Sequence, residues 1–451
     1  MMGPPIHRLM QAAFVAFIAS LWPSMAHAGE AVGRSIGEEA SIFVVLGVIA
    51  SAYLLSYLLL QWLSQRYGFV TGVPYVVLGI IAVPATGLLE PPLMEGLEPL
   101  IAVAVGAVAL AAGLEVNARK LADQGATTIK LSLMVAAVTV GVVVLGPWIA
   151  IRQWQPPMES VVWWPALLVL GALALVSDGR PLEALAKHLK LDNHAIEQAR
   201  EVSWLSTMLA VVVFGIALSI HNPGHEWFGN WMDLGPWFFL HLMVGGVLGA
   251  IGGTMMQARP DDDRVLTILL GVVLTTSAVG YVTSLSIVFV NFVAGVVLIN
   301  MSSESLRLRQ MLDSANAPFY VLLLFVAGTM WTVGLSPWVY VAVAGYLMLR
   351  VVGRWLGVAL FRPRLSGYRP EPGMYRALLA PGALSAAMII DFSFGFGTSP
   401  EIKLVISGLV LILIAEEVIS YFLLRGWLID IADMGATRGT SSPWGDWRGG
   451  Q

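Results

Sequence analysis

The chain has 451 residues, of which 57% are hydrophobic and 12% are charged, and its formal net charge is −4 at pH 7. Soluble globular proteins carry about 25% charged residues, so a chain this poor in charge, with repeated long apolar runs, belongs in a lipid bilayer. The absence of cysteine excludes disulfides, thiolate catalysis and cysteine-ligated metals. No phosphate-binding loop, nucleophile elbow or dinucleotide motif is present. The sequence therefore predicts neither an enzyme nor a bound cofactor.

Residues 1–28 have the features of a secretory signal peptide. His7 and Arg8 provide a weakly basic start, residues 11–25 form an apolar stretch, and Ala-His-Ala at 26–28 fits the small-x-small pattern of a cleavage site. The alternative is a short first span that is retained. Under either interpretation, the mature chain starts outside the cytoplasm.

The rest of the chain is dominated by apolar runs long enough to cross or nearly cross a hydrocarbon core of about 30 Å. They cover residues 41–62, 70–88, 97–115, 128–151, 161–177, 198–220, 235–256, 265–282, 284–300, 317–334, 336–352, 376–394 and 402–424. They predict an all-α polytopic membrane protein with about thirteen transmembrane helices, in one domain over residues 29–425. Residues 426–451 are rich in Gly, Ser and Trp and predict a flexible cytoplasmic tail.

The basic residues predict how the chain lies in the membrane. If the first span runs from outside to inside, nearly all Lys and Arg residues after the signal segment fall in inner loops, and Arg34, Arg152 and Lys403 stay outside. The positive-inside rule then predicts an outer N-terminus and a cytoplasmic C-terminus in a bacterial-type inner (plasma) membrane. A lone first helix leaves spans that could form two inverted halves, with a binding site at mid-membrane where helices break.

One polar cluster interrupts an apolar span. The stretch LALVSDGRPLEALAKHLK at 173–190 places six residues almost side by side: Ser177, Asp178, Gly179, Arg180, Pro181 and Glu183. Glycine and proline favour a break in a helix, and freed backbone groups are tolerated only where protein or water surrounds them. We therefore expect a broken helix that lines a polar site.

Several stretches resemble the monovalent cation:proton antiporter superfamily, the sodium/proton exchangers and their relatives. They are VPYVVLGIIAVPATGLLEP, AVALAAGLEVNARKL, SLSIVFVNFVAGVVLIN, ANAPFYVLLLFVAGTMW and LMLRVVGRWLGVALF, the last followed by LLAPGALSAAMII. Together they cover roughly residues 40 to 425 in the family's order. The resemblance implies an inverted-repeat fold in which two broken helices cross, a homodimer, and exchange of Na⁺ or K⁺ for H⁺ without a nucleotide.

The resemblance also suggests site residues. Ser177 and Asp178 fall on the family's Thr-Asp motif at the first crossing helix, and Gly179 replaces its proline. On the following helix, Ser206 and Thr207 replace the Asn-Asp pair whose aspartate exchanges proton for cation. A hydroxyl can coordinate a cation but cannot exchange a proton near neutral pH. Proton coupling would therefore have to pass to another group.

Two adjacent acids in the last span are candidates for that group. Glu416 and Glu417 cannot both face one partner, because neighbouring helical residues point about 100° apart. They could replace the missing exchange acid, or they could be structural ion pairs with Arg350 or Arg354.

Three further polar residues are candidates for functional or structural roles. A guanidinium at Arg180 would repel an incoming cation unless Asp178 or Glu183 neutralises it; alternatively, Arg180 lies at the inner membrane edge and pairs with Glu183. Asp391 is either a functional intramembrane acid or an interfacial residue that caps a loop. Asn291 is expected to make interhelical hydrogen bonds.

These observations favour a secondary transporter of the antiporter type that binds a monovalent cation and H⁺ in the lipid bilayer. A second hypothesis is a non-transporting protein of the same fold that acts as a membrane sensor or partner subunit, with a protein partner. A third is an anion carrier, which depends on Arg180 alone. None of the three hypotheses involves nucleic acid or a metal centre.

Overall fold

The structure is a computed structural model that describes residues 72–86, 91–154, 160–220, 234–257, 262–302, 318–361 and 371–439, with single-residue gaps at 124, 190, 192, 333, 372 and 398. The predicted signal peptide, the first predicted span at 41–62 and residues 440–451 lie outside the described residues.

Within these ranges the chain is helical apart from short connections, which confirms the all-α prediction. The helices are α1 (Val73–Thr86), α2 (Pro91–Leu114), α3 (Ala118–Asp123), α4 (Ala126–Trp154), α5 (Ser160–Leu175), α6 (Gly179–His188), α7 (His194–Ile220), α8 (Leu234–Met256), α9 (Asp262–Val282), α10 (Ile287–Met301), α11 (Pro318–Thr329), α12 (Pro337–Phe361), α13 (Ala383–Phe396) and α14 (Pro400–Gly439). A 3₁₀ segment, Met374–Leu379, precedes α13.

The length and apolar composition of the helices suit a lipid bilayer. Seven spans in the described ranges are long and apolar enough to cross a membrane, and α10, α11 and α13 are apolar but shorter. Helices are favoured in lipid because they satisfy the backbone hydrogen-bonding groups within the segment itself. The chain is therefore a multi-pass membrane protein.

The helices form two bundles that pack side by side. The crossing bundle contains α4 to α7, α12, the 3₁₀ segment, α13 and α14, and the scaffold bundle contains α1, α2 and α8 to α11. The two bundles meet where α13 packs against α2 and α10, where α7 packs against α8 and α10, and where α14 packs against α1.

Close glycine contacts hold the scaffold bundle together. A Cβ added to Gly295 of α10 would lie 3.0 Å from the Cα of Gly113 in α2, and one added to Gly328 of α11 would lie 3.0 Å from the Cα of Gly79 in α1. Small residues allow membrane helices to approach this closely. The two crossings have the same construction, one between α2 and α10 and one between α1 and α11, as expected for related halves.

The last helix is longer than the sequence predicted. It continues past residue 425 to Gly439, although Gly426 was expected to start a flexible tail. Trp427, Leu428 and Ile431 are buried in a second apolar cluster with α6 and the 3₁₀ segment, and Asp430 pairs with Arg376 at 2.9 Å. Tertiary packing thus extends a helix that local composition did not favour.

We predict that Gly295→Ala destabilises the scaffold bundle, because the added Cβ would meet the backbone of α2. Overpacking of this kind costs about 1–3 kcal/mol, which a lower melting temperature in detergent micelles would report. Gly246→Ala is the matched control: it lies on α8 with no atom within 4 Å of an added Cβ. Equal melting temperatures for the two variants would contradict the tight crossing.

Candidate functional site

Two interrupted helices cross at the centre of the crossing bundle. The first interruption is residues 176–178, between α5 and α6, and the second is residues 380–382, between the 3₁₀ segment and α13. The backbone N–H of Asp178 donates to the carbonyl of Ala380 at 2.9 Å. A Cβ on Gly382 would lie 2.8 Å from Oδ2 of Asp178, so only glycine allows this approach. The predicted break at the end of the span at 161–177 is confirmed. The contact with Ala380 identifies the second interrupted helix as its crossing partner.

Local sequence determines where α6 begins. Asp178 is its N-cap, with extended backbone angles, and its carboxylate accepts from the N–H of Arg180 at 2.9 Å. Aspartate is a strongly preferred N-cap residue. Pro181 lies in the first turn, where the missing N–H of proline costs no intrahelical bond. The Asp-Gly-Arg-Pro sequence therefore starts a new helix.

The carbonyls at the end of α5 are held by two buried arginines. Arg354 donates to the carbonyls of residues 174 and 175 at 3.0 and 2.7 Å, and Arg350 donates to the carbonyl of residue 176 at 2.8 Å. Arg350 also forms a buried ion pair with Glu416 of α14. The guanidinium groups satisfy carbonyls that the break leaves free, and they oppose the partial negative charge of the helix C-terminus.

Hydroxyl groups of α7 support the same interruption. Thr207 accepts from the N–H of Ser177 at 3.0 Å and donates to its carbonyl at 2.7 Å. Ser206 donates to the carbonyl of Leu175 at 2.9 Å and accepts from Arg354 at 2.7 Å. Ser206 and Thr207, which the family resemblance suggested as site residues, therefore bind backbone groups of the break.

Ser203 was not among the site residues predicted from the sequence. Its hydroxyl lies 2.5 Å from that of Ser177, and both residues are buried. Helical spacing could have identified this residue from the sequence, because Ser203 lies four residues before Thr207 and so shares its face of α7. Ser203 completes a row of α7 hydroxyls along the interruption.

Asp178 and Arg180 form a local ion pair. Nε of Arg180 lies 3.1 Å from both carboxylate oxygens of Asp178, and Nη2 lies 2.9 Å from Oδ2. The Arg180 side chain is 55% exposed, whereas that of Asp178 is 15% exposed. Glu183 pairs instead with Arg200, at 3.3 Å. The expected alternative pairing of Arg180 with Glu183 is therefore wrong: in these ranges the partner of Arg180 is Asp178.

The two adjacent glutamates of α14 face different partners, as the sequence predicted. Glu416 pairs with Arg350, whereas Glu417 accepts from the N–H of Gly72 at 3.2 Å and from the hydroxyl of Tyr320 at 3.0 Å. Both glutamates are buried, with 4% and 6% of their surface exposed. Only Glu416, of the two, has a guanidinium partner among the described residues.

Asp391 joins the two bundles away from the crossing. Its carboxylate accepts from the hydroxyl of Ser286 at 2.7 Å and from the N–H groups of Ile287 and Val288 at 3.0 and 3.1 Å. It thereby caps α10 from the neighbouring α13. Asp391 is 2% exposed and caps the start of α10, and its position at the membrane interface stays a prediction. The residue lies inside the protein since three donors of a helix start converge on it.

Asn291 belongs to the interior of the scaffold bundle. Its amide accepts from Thr276 at 2.5 Å and donates to Ser277 at 3.2 Å, both on α9. These bonds are the interhelical contacts that the sequence predicted, and they lie outside the crossing.

Comparison with solved structures identifies the fold. The chain is similar to the sodium proton antiporter MjNhaP1 from Methanocaldococcus jannaschii at pH 8, with a TM-score of 0.64, 14% sequence identity, and coverage of 86% of this chain and 97% of that one. A second structure of MjNhaP1, from an EM map, gives a TM-score of 0.61 at 14% identity over 89% and 99% of the two chains. No protein-family model and no curated protein matches the sequence. The chain therefore has an antiporter fold.

We predict that Arg354→Met destabilises the crossing bundle, because the carbonyl of residue 174 loses the guanidinium that donates to it and the carbonyl of residue 175 keeps only the hydroxyl of Ser206. An unsatisfied buried acceptor costs about 1–3 kcal/mol, which thermal unfolding in detergent should detect. Arg354→Lys should fall between wild type and Arg354→Met, since an ammonium lacks the planar fork that reaches both carbonyls. Arg264→Met, at an exposed position of α9, is the control. A melting temperature of Arg354→Met equal to that of the control would refute the bracing role.

Proposed function

We propose that this chain is a secondary active transporter that exchanges a monovalent cation, Na⁺ or K⁺, for H⁺. The proposal rests on the position of Asp178, whose carboxylate stands where two interrupted helices cross in an antiporter fold. Carboxylates within membrane proteins are costly and mark ion pathways. The sodium proton antiporter with the same fold supports the choice of cation and proton as the transported species.

Asp178 is suited to bind a cation because its carboxylate is the negatively charged group at the crossing. In transporters, broken helices at mid-membrane place carboxylates and helix ends around the ion. The carbonyls at the end of α5 are already occupied by Arg350 and Arg354. The carboxylate of Asp178, rather than these carbonyls, is therefore the group that a cation would meet.

Arg180 supplies the competing charge. Its guanidinium contacts both oxygens of Asp178, so a cation must displace it. More than half of the Arg180 side chain is exposed, and the guanidinium can turn towards water without a new desolvation cost. An exchangeable counter-charge of this kind neutralises the carboxylate between cation-binding events.

Ser177, Ser206 and Thr207 position the interruption in this scheme. Thr207 holds the N–H and the carbonyl of Ser177, and Ser206 donates to the carbonyl of Leu175, which orients the segment that carries Asp178. We further propose a homodimer in a bacterial-type inner membrane, with the N-terminus outside and the C-terminus in the cytoplasm. The excess of Lys and Arg residues in the predicted inner loops supports this orientation.

We predict that Asp178→Asn abolishes cation:proton exchange, because a neutral amide neither attracts a cation nor pairs with Arg180. Purified protein is reconstituted in liposomes with a pH gradient, and a trapped pH dye reports flux on addition of Na⁺ or K⁺. Wild type should dissipate the gradient, and Asp178→Asn should match protein-free liposomes. Asp263→Asn, an exposed position of α9, should behave as wild type.

The same assay separates the other two hypotheses. Folded wild-type protein that moves no ion under any gradient would favour the sensor or partner subunit. Flux that follows the anion instead of the cation would favour the anion carrier. Exchange that survives Asp178→Asn would remove the carboxylate at the crossing from the mechanism.

A further inference from the structure

We propose that Glu417 is the proton-carrying acid of this protein, in place of the aspartate that Thr207 replaces on α7. The inference rests on the proposed function and adds to it the group that couples the cation to H⁺. None of the hydroxyls along the interruption exchanges a proton near neutral pH. An acid must therefore supply the coupling, and Asp178 at the crossing is already paired with Arg180.

The hydrogen-bonding environment distinguishes Glu417 from the other buried acids. Glu416 beside it forms an ion pair with Arg350. Asp391 accepts hydrogen bonds from three donors at the start of α10. Glu417 is 6% exposed, and its partners among the described residues are two neutral donors, the N–H of Gly72 and the hydroxyl of Tyr320. A buried carboxyl held by neutral donors can gain or lose a proton without breaking a buried ion pair.

Glu417 also lies on the boundary between the two bundles. It belongs to α14 of the crossing bundle, whereas Gly72 precedes α1 and Tyr320 belongs to α11, both of the scaffold bundle. Transporters of inverted-repeat construction alternate by moving one bundle against the other around the site. Both hydrogen bonds of the Glu417 carboxyl therefore cross the surface at which that movement occurs.

Glu417 lies on a helix that contacts the crossing region. Helix α14 packs against α6, which Asp178 caps, and against α13, which follows the second interruption. Tyr320 joins α14 to α11 across the bundle boundary through its hydrogen bond to Glu417.

Several titratable or charged groups face Glu417 from the described elements around it. They are Glu416 on its own helix with Arg350 and Tyr346 of α12 behind it, Asp178 and Arg180 at the start of α6, and Tyr320 of α11. Arg350 is held by Glu416, and Arg180 is held by Asp178. Glu417 is the member of this group that remains available to exchange a proton.

The coupling step balances in charge. A cation binds to the Asp178 carboxylate and displaces Arg180 towards water, and one proton leaves Glu417 for water on the same side. Arg180 stays charged as it turns towards water, so the bound cation adds one positive charge to the protein until the proton leaves. This added charge favours the ionised form of a nearby acid, so cation binding favours proton release from Glu417. On the opposite side, protonation of Glu417 favours release of the cation, and Arg180 closes on Asp178 again.

The test compares two fluxes in proteoliposomes for wild type, Glu417→Gln and Asp178→Asn. The first flux is cation-dependent dissipation of a pH gradient, and the second is exchange of radiolabelled for unlabelled cation at equal pH. Glu417→Gln should lose the first to the level of protein-free liposomes and keep the second. Asp178→Asn should lose both. Glu401→Gln, in the exposed first turn of α14, should keep both.

Tyr320→Phe provides a second measurement that does not remove the acid. It deletes one donor to the carboxylate, which then holds its proton more tightly, so the pH profile of exchange should move to higher pH. Cation–cation exchange should stay as in wild type. A pH profile that does not move in Tyr320→Phe would overturn the role of Glu417 even if Glu417→Gln failed to fold.

The outcomes separate this inference from the proposed function. If Glu417→Gln retains wild-type proton-coupled flux while Asp178→Asn loses it, Glu417 is not the proton carrier and the exchanger stands. If folded Glu417→Gln loses cation–cation exchange as well, its role is in binding or structure and the inference fails. If wild type moves no ion in either assay, both proposals fail.

Discussion

The structure depends on one constraint, which is that two interrupted helices inside a membrane must satisfy the backbone groups that they set free. Water is scarce there, and each unsatisfied group costs several kcal/mol. The protein meets this constraint with a direct bond from Asp178 to Ala380, and with arginines and hydroxyls around the end of α5. The second crossing helix, α7 and α12 are all held in place by these contacts.

This constraint also explains how the polar residues divide their roles. Arg350 and Arg354 are buried cations, but they serve carbonyls rather than a ligand, and Glu416 balances one of them. Thr207, which the family resemblance aligns with an exchange acid, holds the N–H and the carbonyl of Ser177. In the proposed mechanism, the groups that bind ions therefore differ from the groups that support the interruption, and the ion-binding acids lie outside α7.

Those acids stand in different environments. In the proposed exchange, a cation competes with the half-exposed guanidinium of Arg180 for Asp178, whereas Glu417 accepts from neutral donors across the bundle boundary. Asp391 shows the contrast, because its carboxylate is saturated by the start of α10. A carboxylate that holds three donors of a neighbouring helix is a poor candidate for proton exchange, and one held by neutral donors is a better one.

The sequence by itself determined the membrane class, the positions of most spans and the break before Gly179, because apolar length, N-capping and proline act over a few neighbouring residues. It also determined that Glu416 and Glu417 face different partners, since helix geometry is local. Only the tertiary structure decided the hydrogen bond between Asp178 and Ala380 and the position at which α14 ends. It also decided that Arg180 pairs with Asp178 and not with Glu183. Those outcomes depend on which helices become neighbours. Contacts between distant segments leave no periodic signal in a chain whose helices are apolar on most faces.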